Sequence, residues 1–127
     1  MTRPIKFRAW DKDFKVMLEM GVKASGEPVF HGFTERGSLS CKFFDAELDL
    51  MQFTGLLDKN GKEIYEGDVL KYIPTKSDGV TELEPVTGSV FYEIEARNGG
   101  FTATDLGGIS FDACEVIGNI YENFRQR

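Results

Sequence analysis

The chain is poor in the residues on which catalysis and metal binding most often depend. Its 127 residues include one histidine, His31, and two cysteines, Cys41 and Cys114, which lie far apart. It contains no GxSxG, Walker A, HExxH, CxxC or GxGxxG motif, and a histidine without a paired acid or nucleophile is more often structural than catalytic. We therefore expect no enzyme activity, no metal ion and no cofactor, and two reduced thiols rather than a disulfide.

Long hydrophobic runs are also missing. No apolar stretch approaches the roughly 20 residues that a membrane-spanning helix needs, and the first residues, Met-Thr-Arg-Pro-Ile-Lys, lack the apolar core of a signal peptide. These absences predict a cytoplasmic protein with no membrane partner. Hydrophobic residues make up 41% of the chain and charged residues 28%, which is typical of a folded globular protein rather than a disordered one.

The net charge of −6 is concentrated in the second half of the chain. Residues 1–73 carry 11 basic and 12 acidic side chains, whereas residues 74–127 carry 4 basic and 9 acidic ones. An acidic chain repels phosphate backbones, so the overall charge disfavours nucleic acid as a partner. Only a local basic face would allow such binding.

Period-two alternation predicts a β-hairpin near the N-terminus. Apolar and polar residues alternate over residues 5–10 and again over residues 14–20, on either side of a turn at residues 11–13. One face would enter the core and the other would present Lys6, Arg8 and an exposed Trp10. These three residues form a candidate contact site for a protein, a nucleic acid or a second copy of the chain. Alternatively, Trp10 only packs and the cations are solvated.

Glycine and proline divide residues 21–50 into short pieces. Residues 29–33 are typical of a strand, and the mixed periodicity of residues 41–50 favours a strand or extended segment over a helix.

Residues 51–73 contain the densest turn signals of the chain. Asn60-Gly61 is the pair that a type I′ hairpin turn selects, because both central positions need positive φ. A second turn follows at Gly67 and Asp68, whose carboxylate can accept backbone N–H groups, and a strand then ends before Pro74. These turns predict a β-meander in which the four turn residues are structural. The spacing of acidic residues after Asp58 does not fit a calcium-binding loop.

The last third of the chain predicts a loop and three further strands. Residues 75–85 are polar and indicate a mobile loop. Residues 86–94 and 101–104 are typical of two strands joined by a turn at residues 98–100. Residues 114–121 have apolar side chains on both faces, which predicts a final strand in the centre of its sheet.

Three sequence blocks, in this order, resemble the YopX family of small phage and prophage proteins. They are Phe7-Arg8-Ala9-Trp10-Asp11-Lys12, residues 51–72, and Val116-Ile117-Gly118-Asn119-Ile120-Tyr121-Glu122-Asn123. The resemblance implies a β-rich fold with a small SH3-like barrel and a phage-related origin, and it assigns no biochemical activity.

Together, the patterns and the resemblance predict a mostly β fold. We expect a β subdomain in residues 1–50 and an SH3-like small barrel in residues 51–127, joined in one structural unit. The expected function is that of a phage-derived or prophage-derived accessory protein that binds an unidentified host or phage protein without catalysis. The alternative is a nucleic-acid-binding small barrel that uses the face of Lys6, Arg8 and Trp10. Association between copies of the chain is also open.

Overall fold

The computed structural model describes residues 6–34, 37–42, 48–92, 100–106 and 108–122. The described residues form strands β1 (Phe7–Asp11), β2 (Val16–Val22), β3 (Pro28–Thr34), β4 (Gly37–Lys42), β5 (Leu48–Leu57), β6 (Glu63–Tyr65), β7 (Asp68–Tyr72), β8 (Val86–Tyr92), β9 (Phe101–Ala103) and β10 (Glu115–Asn119). A 3-10 helix, Phe111–Ala113, precedes β10. The prediction of a mostly β fold is confirmed, and no helix in this part of the chain is long and apolar enough to span a bilayer.

The contacts divide the chain into two compact units, Met1–Phe53 and Thr54–Arg127. β5 crosses the boundary, and β6 lies beside it in the second unit. The division into domains of residues 1–50 and 51–127 stays a prediction.

The first unit is an antiparallel sheet in the order β4-β3-β2-β1-β5. Alternation places Ala9, Leu18 and Phe30 on one face, where they are fully buried with Leu48. Leu39 and Cys41 of β4 are half-buried at the edge of this cluster. The predicted N-terminal hairpin and the strand at residues 29–33 are confirmed. Residues 43–47, part of the predicted extended segment, lie outside the described residues.

A buried carboxylate closes the turn between β1 and β2. Asp11 is buried, and its Oδ1 accepts the backbone N–H groups of Asp13 and Phe14, both at 2.9 Å. The backbone N–H of Lys15 donates to the carbonyl of Asp11 at 2.8 Å, which leaves Lys15 in the left-handed region with φ of 56°. The turn predicted at residues 11–13 is confirmed, and a side chain holds it.

The second unit contains a four-stranded antiparallel sheet in the order β10-β7-β8-β9. Its core is a cluster of buried side chains from the strands and the following loops: Ile64, Leu70, Val90, Phe101, Ala103, Leu106, Phe111, Cys114 and Val116. The strands predicted at residues 86–94 and 101–104 are confirmed as β8 and β9, except that residues 93–94 lie outside the described residues. Of the turn predicted at residues 98–100, only Gly100 is described. The described strands leave this sheet open rather than closing it into a barrel.

The hairpin predicted around Asn60-Gly61 is present, but the expected type I′ turn is wrong. Gly61 has φ of +84°, whereas Asn60 is not in the positive-φ region. The N–H of Gly61 donates to the carbonyl of Asp58 at 3.0 Å, and the N–H of Asp58 donates to the carbonyl of Lys62 at 2.8 Å. This pattern is a type I turn followed by a left-handed glycine, so one residue with positive φ is sufficient.

The apolar residues of the last strand predicted a position in the centre of its sheet, and this prediction is wrong. β10 pairs with β7 on one side and is the edge strand of the four. The register shifts between Val116 and Gly118, so Ile117 is the extra residue of a bulge. Its side chain is exposed. Apolar residues on both faces of β10 therefore reflect a bulged edge, not burial on both sides.

Residues 75–85, which composition predicted to be a mobile loop, contain a hairpin turn in the structure. The mobility of this segment stays a prediction. Thr75 and Glu82 make an isolated bridge, and the N–H of Lys76 donates to the carbonyl of Thr81 at 2.8 Å. Asp78 accepts from the N–H groups of Val80 and Thr81 and from the Thr81 hydroxyl, at 2.8, 2.9 and 2.7 Å. Local hydrogen bonds thus form the turn of a segment that contributes little to the core.

Candidate binding surface

The structure places Lys6, Arg8 and Trp10 on the side of the first sheet opposite the buried Ala9, as alternation requires. All three residues are half-buried, so the expectation of an exposed indole is wrong. Nζ of Lys6 lies 5.1 Å from the centroid of the Phe53 ring, within the range of cation–π attraction. Nε of Arg8 is shielded from solvent. Alternation identified the face, but it could not show that this part of the face is covered.

A row of paired residues crosses the first sheet on this face. The row runs from β5 to β4 through Met51, Arg8, Glu19, His31 and Ser40, each paired with the next. Directly paired residues of antiparallel strands lie on the same face. Met51 is 2% exposed, Arg8 is half-buried, and the last three residues are exposed. The face is therefore covered beside β5 and open over β2, β3 and β4.

Aromatic and thioether side chains accompany this row. Phe33, two residues beyond His31 and so on the same face, is 80% exposed. Trp10 pairs with Met17, and both are half-buried. We refer to Arg8, Trp10, Met17, Glu19, His31 and Phe33 as the aromatic–polar face. The sequence pattern predicted Arg8 and Trp10 as site residues. It did not predict Phe33, because the alternation of residues 29–33 does not show which face the core occupies.

A glycine sets the position of His31 on the aromatic–polar face. Gly21 lies two residues after Glu19 on β2, and a Cβ atom added there would be 2.6 Å from Nε2 of His31. The imidazole ring therefore rests on the backbone of Gly21. A larger residue at this position would force the ring to move.

Ser40, His31 and Glu19 stand side by side in the order of a nucleophile, a base and an acid. Activation of a serine needs a hydrogen bond from its hydroxyl to the base, and a second one that orients the base. No hydrogen bond joins the side chains of these three residues, all of which are described. The described residues also contain no group of three or more histidines, cysteines and acids that could hold a metal ion. Glu19, His31 and Ser40 are thus separate polar side chains.

In the second unit, Gly67 and Asp68 shape the turn before β7. Oδ2 of the buried Asp68 accepts the backbone N–H of Tyr65 at 2.8 Å. Gly67 has φ of +85°, and its N–H donates to the carbonyl of Val90 at 2.9 Å. Both residues therefore lie at backbone positions that connect strands rather than on an open surface.

Asp58 has a role in this unit that the sequence pattern did not predict. It is 5% exposed, and its Oδ1 accepts the N–H groups of Asn60 at 2.8 Å and Lys62 at 2.9 Å. Its Oδ2 accepts the N–H of Val116, 58 residues away, at 2.9 Å. Burial by itself would raise the pKa of Asp58, but the three N–H groups together hold it below the ordinary value. An aspartate at the start of a turn predicts the first two bonds, whereas nothing local predicts the third.

Both cysteines are free thiols. Sγ of Cys41 donates to Oδ2 of Asp11 at 3.6 Å. Burial raises the pKa of the Cys114 thiol, and the carboxylates of Asp112 and Asp58 raise it further. Because the thiolate is the reactive form, a raised pKa lowers the reactivity of this buried thiol.

Comparison with known proteins agrees with the β architecture. The family model described as YopX protein matches residues 6–125. Protein EF1440 from Enterococcus faecalis is similar in structure, with 28% sequence identity and a TM-score of 0.59 over 96% of each chain. Protein yopX from Bacillus subtilis shows the same fold, with 20% identity and a TM-score of 0.50 over 93% of this chain and 94% of that chain. No curated protein sequence matches. Because the family model covers nearly all of its residues, the chain belongs to the YopX family.

Proposed function

We propose that this chain is a non-enzymatic β module that binds a protein partner through the aromatic–polar face. The observation that carries the proposal is Phe33, a large aromatic side chain that is 80% exposed on a strand whose other face is buried. Aromatic residues, methionine and arginine are enriched at protein interfaces, and truncation of an aromatic anchor there typically costs about 2 kcal/mol or more. The core of the unit does not use this face at β3, so the face is available for recognition.

The biological setting is part of the same proposal. The family resemblance and the bacterial sources of the two similar structures support a phage-derived or prophage-derived accessory protein in the cytoplasm of a bacterial host. The antiparallel meander of β7, β8 and β9 supports an SH3-like arrangement of the second unit.

Nucleic acid is the less favoured ligand. Lys6 lies over an aromatic ring and the guanidinium of Arg8 is partly buried, so neither cation is presented to a phosphate backbone at full exposure. The net charge of −6 adds general repulsion. A titration of single-stranded and duplex oligonucleotides at low salt tests this. Affinity that falls steeply with salt and is lost in Arg8→Ala would favour nucleic acid over protein.

The partner is sought by affinity capture from bacterial lysate with the full chain as bait. The test variant is Phe33→Ser, and the matched control is Val80→Ser, which removes an apolar side chain of the second unit that is 79% exposed. We expect a specific partner to bind the unmodified chain and the control alike, and to bind Phe33→Ser about 30-fold more weakly, as a loss of about 2 kcal/mol requires. Equal capture by all three proteins would remove the aromatic–polar face from consideration.

A further inference from the structure

We propose that the outer edge of β4 is a self-association site, at which it pairs antiparallel with β4 of a second copy of this chain. In the first sheet β4 follows β3 at the end of the strand order, and no described strand lies beyond it. An edge strand presents N–H and C=O groups that can template a further strand, and natural proteins usually block long edges. The proposal is independent of the partner-binding function.

The other edge strands are protected in ways that β4 is not. β6 and β9 have three residues each. β10 is bulged at Ile117. Backbone groups at its start already have hydrogen-bond partners, because the N–H of Val116 donates to Asp58 and the carbonyl of Cys114 accepts from Lys59. β4 has six residues, and its register with β3 runs without interruption from Gly37 to Lys42. It is therefore a long and regular edge.

Charge makes a second copy a suitable occupant. The protein has 21 acidic residues and a net charge of −6, so two copies repel each other over most of their surfaces. β3 and β4 contain no aspartate or glutamate. The only Lys or Arg in these two strands is Lys42, at the end of β4. A twofold axis at β4 would therefore bring together parts of two acidic molecules that carry no acidic residue. The outward side chains next to the axis, Ser38 and Ser40, are small and do not obstruct the approach.

The chemistry of the inward side chains selects the register. Residues that pair across a twofold axis must lie on the same face, so the axis must pass between two copies of the same residue. The two central residues of β4, Leu39 and Ser40, are the candidates. With Leu39 on the axis, Cys41 would face Gly37, which offers no side chain. With Ser40 on the axis, Leu39 of each copy faces Cys41 of the other. Both are half-buried at the edge of the core, and this register covers them. We assign the axis to Ser40.

Sedimentation equilibrium and light scattering of the full chain over a wide concentration range test the assignment. We expect a reversible dimer whose dissociation constant rises at least about tenfold in Ser40→Lys, because two like charges would then oppose each other at the axis. Ser77→Lys places the same charge on an exposed serine of the hairpin at residues 75–85 and should leave the dimer intact. Phe33→Ser should also leave it intact, which separates this proposal from loss of the partner-binding site.

Amide hydrogen exchange of the unmodified chain gives a readout that does not depend on the folding of a variant. If β4 pairs with a second copy, its outward amides exchange more slowly at high than at low protein concentration, while β10 amides do not change. A monomer at every concentration overturns the proposal. So does a dimer that is insensitive to Ser40→Lys in a folded variant, or one whose β4 amides show no concentration dependence.

Discussion

Removal of the Asp58 carboxylate should destabilise the second unit far more than removal of any exposed carboxylate with the same number of hydrogen bonds. Asp58 binds three backbone N–H groups and joins the turn after β5 to the first residues of β10. Asp58→Ala removes all three acceptor contacts in one step. The turn residues can then recruit water at the surface, but the N–H of Val116 is buried and is left without an acceptor.

The magnitude follows from the burial of these groups. A buried donor that loses its partner costs about 1 to 3 kcal/mol, and the two partly buried bonds add a smaller amount, so the expected loss is about 2 to 4 kcal/mol. For a chain of this size, each kcal/mol lowers the melting temperature by about 4 °C. Asp58→Asn retains one oxygen for the turn but presents an amide group to the N–H of Val116. It should therefore keep only the smaller, turn-related part of this stabilisation.

Asp78→Ala is the matched control. Its carboxylate also accepts three hydrogen bonds, but all of them are local and exposed to solvent. Water replaces an exposed acceptor readily, so the melting temperature of this variant should stay close to that of the unmodified chain. Thermal and urea unfolding, followed by circular dichroism, compare the three variants at neutral pH.

The pH dependence provides a second check on Asp58. Its pKa is lowered from 3.8 in the folded protein, so its stabilising effect is complete above pH 3.8 and is lost as the pH falls through the lower folded-state value. The stability difference between the unmodified chain and Asp58→Ala should therefore be constant near neutrality and shrink in acid below 3.8. A difference that does not change with pH, or equal losses in Asp58→Ala and Asp78→Ala, would refute the reasoning.

Three further substitutions differ in their expected effect on the free energy of unfolding. Lys15→Gly should raise the free energy of unfolding by up to about 1 kcal/mol in urea titrations, because glycine removes the left-handed strain at φ of 56° but gains entropy in the unfolded chain. Gly61→Val should lower it by about 1 to 3 kcal/mol in the same assay, because a β-branched residue is strained at φ of +84°. Gly21→Ala should change stability by less than about 0.5 kcal/mol, because the exposed His31 ring can move aside, but it should shift the imidazole resonances in NMR spectra.

The sequence predicted the strands of this protein well because their signals are local. Alternation over residues 5–20 indicated the first hairpin, and the turn signals at Gly61 and Gly67 indicated the meander. The turn type at Asn60 was wrong because the sequence pair permits two positive φ values, whereas the hydrogen bonds of Asp58 select a conformation that needs one. Side-chain acceptors near a turn thus override the preference of the two central residues.

Long-range contacts were beyond local patterns. The bond between Asp58 and Val116 spans 58 residues, and no periodicity connects the two. The edge position of β10 was not predicted for a related reason. A central strand and a bulged edge strand can have the same sequence pattern, with apolar residues on both faces. Ile117 shows the difference, because a central strand would have buried it.

The candidate site shows why alternation identifies a face but not its exposure. Arg8 and His31 lie on the same row, separated by one strand, or about 10 Å at 4.7 to 4.9 Å per strand. Over that distance the row passes from half-buried to exposed. The coverage of a strand depends on what packs over it, and this changes along a row while the alternation stays the same. The binding role predicted for Lys6, Arg8 and Trp10 is therefore better suited to β3. There, His31 and Phe33 lie on the same face of the sheet, and their side chains are exposed.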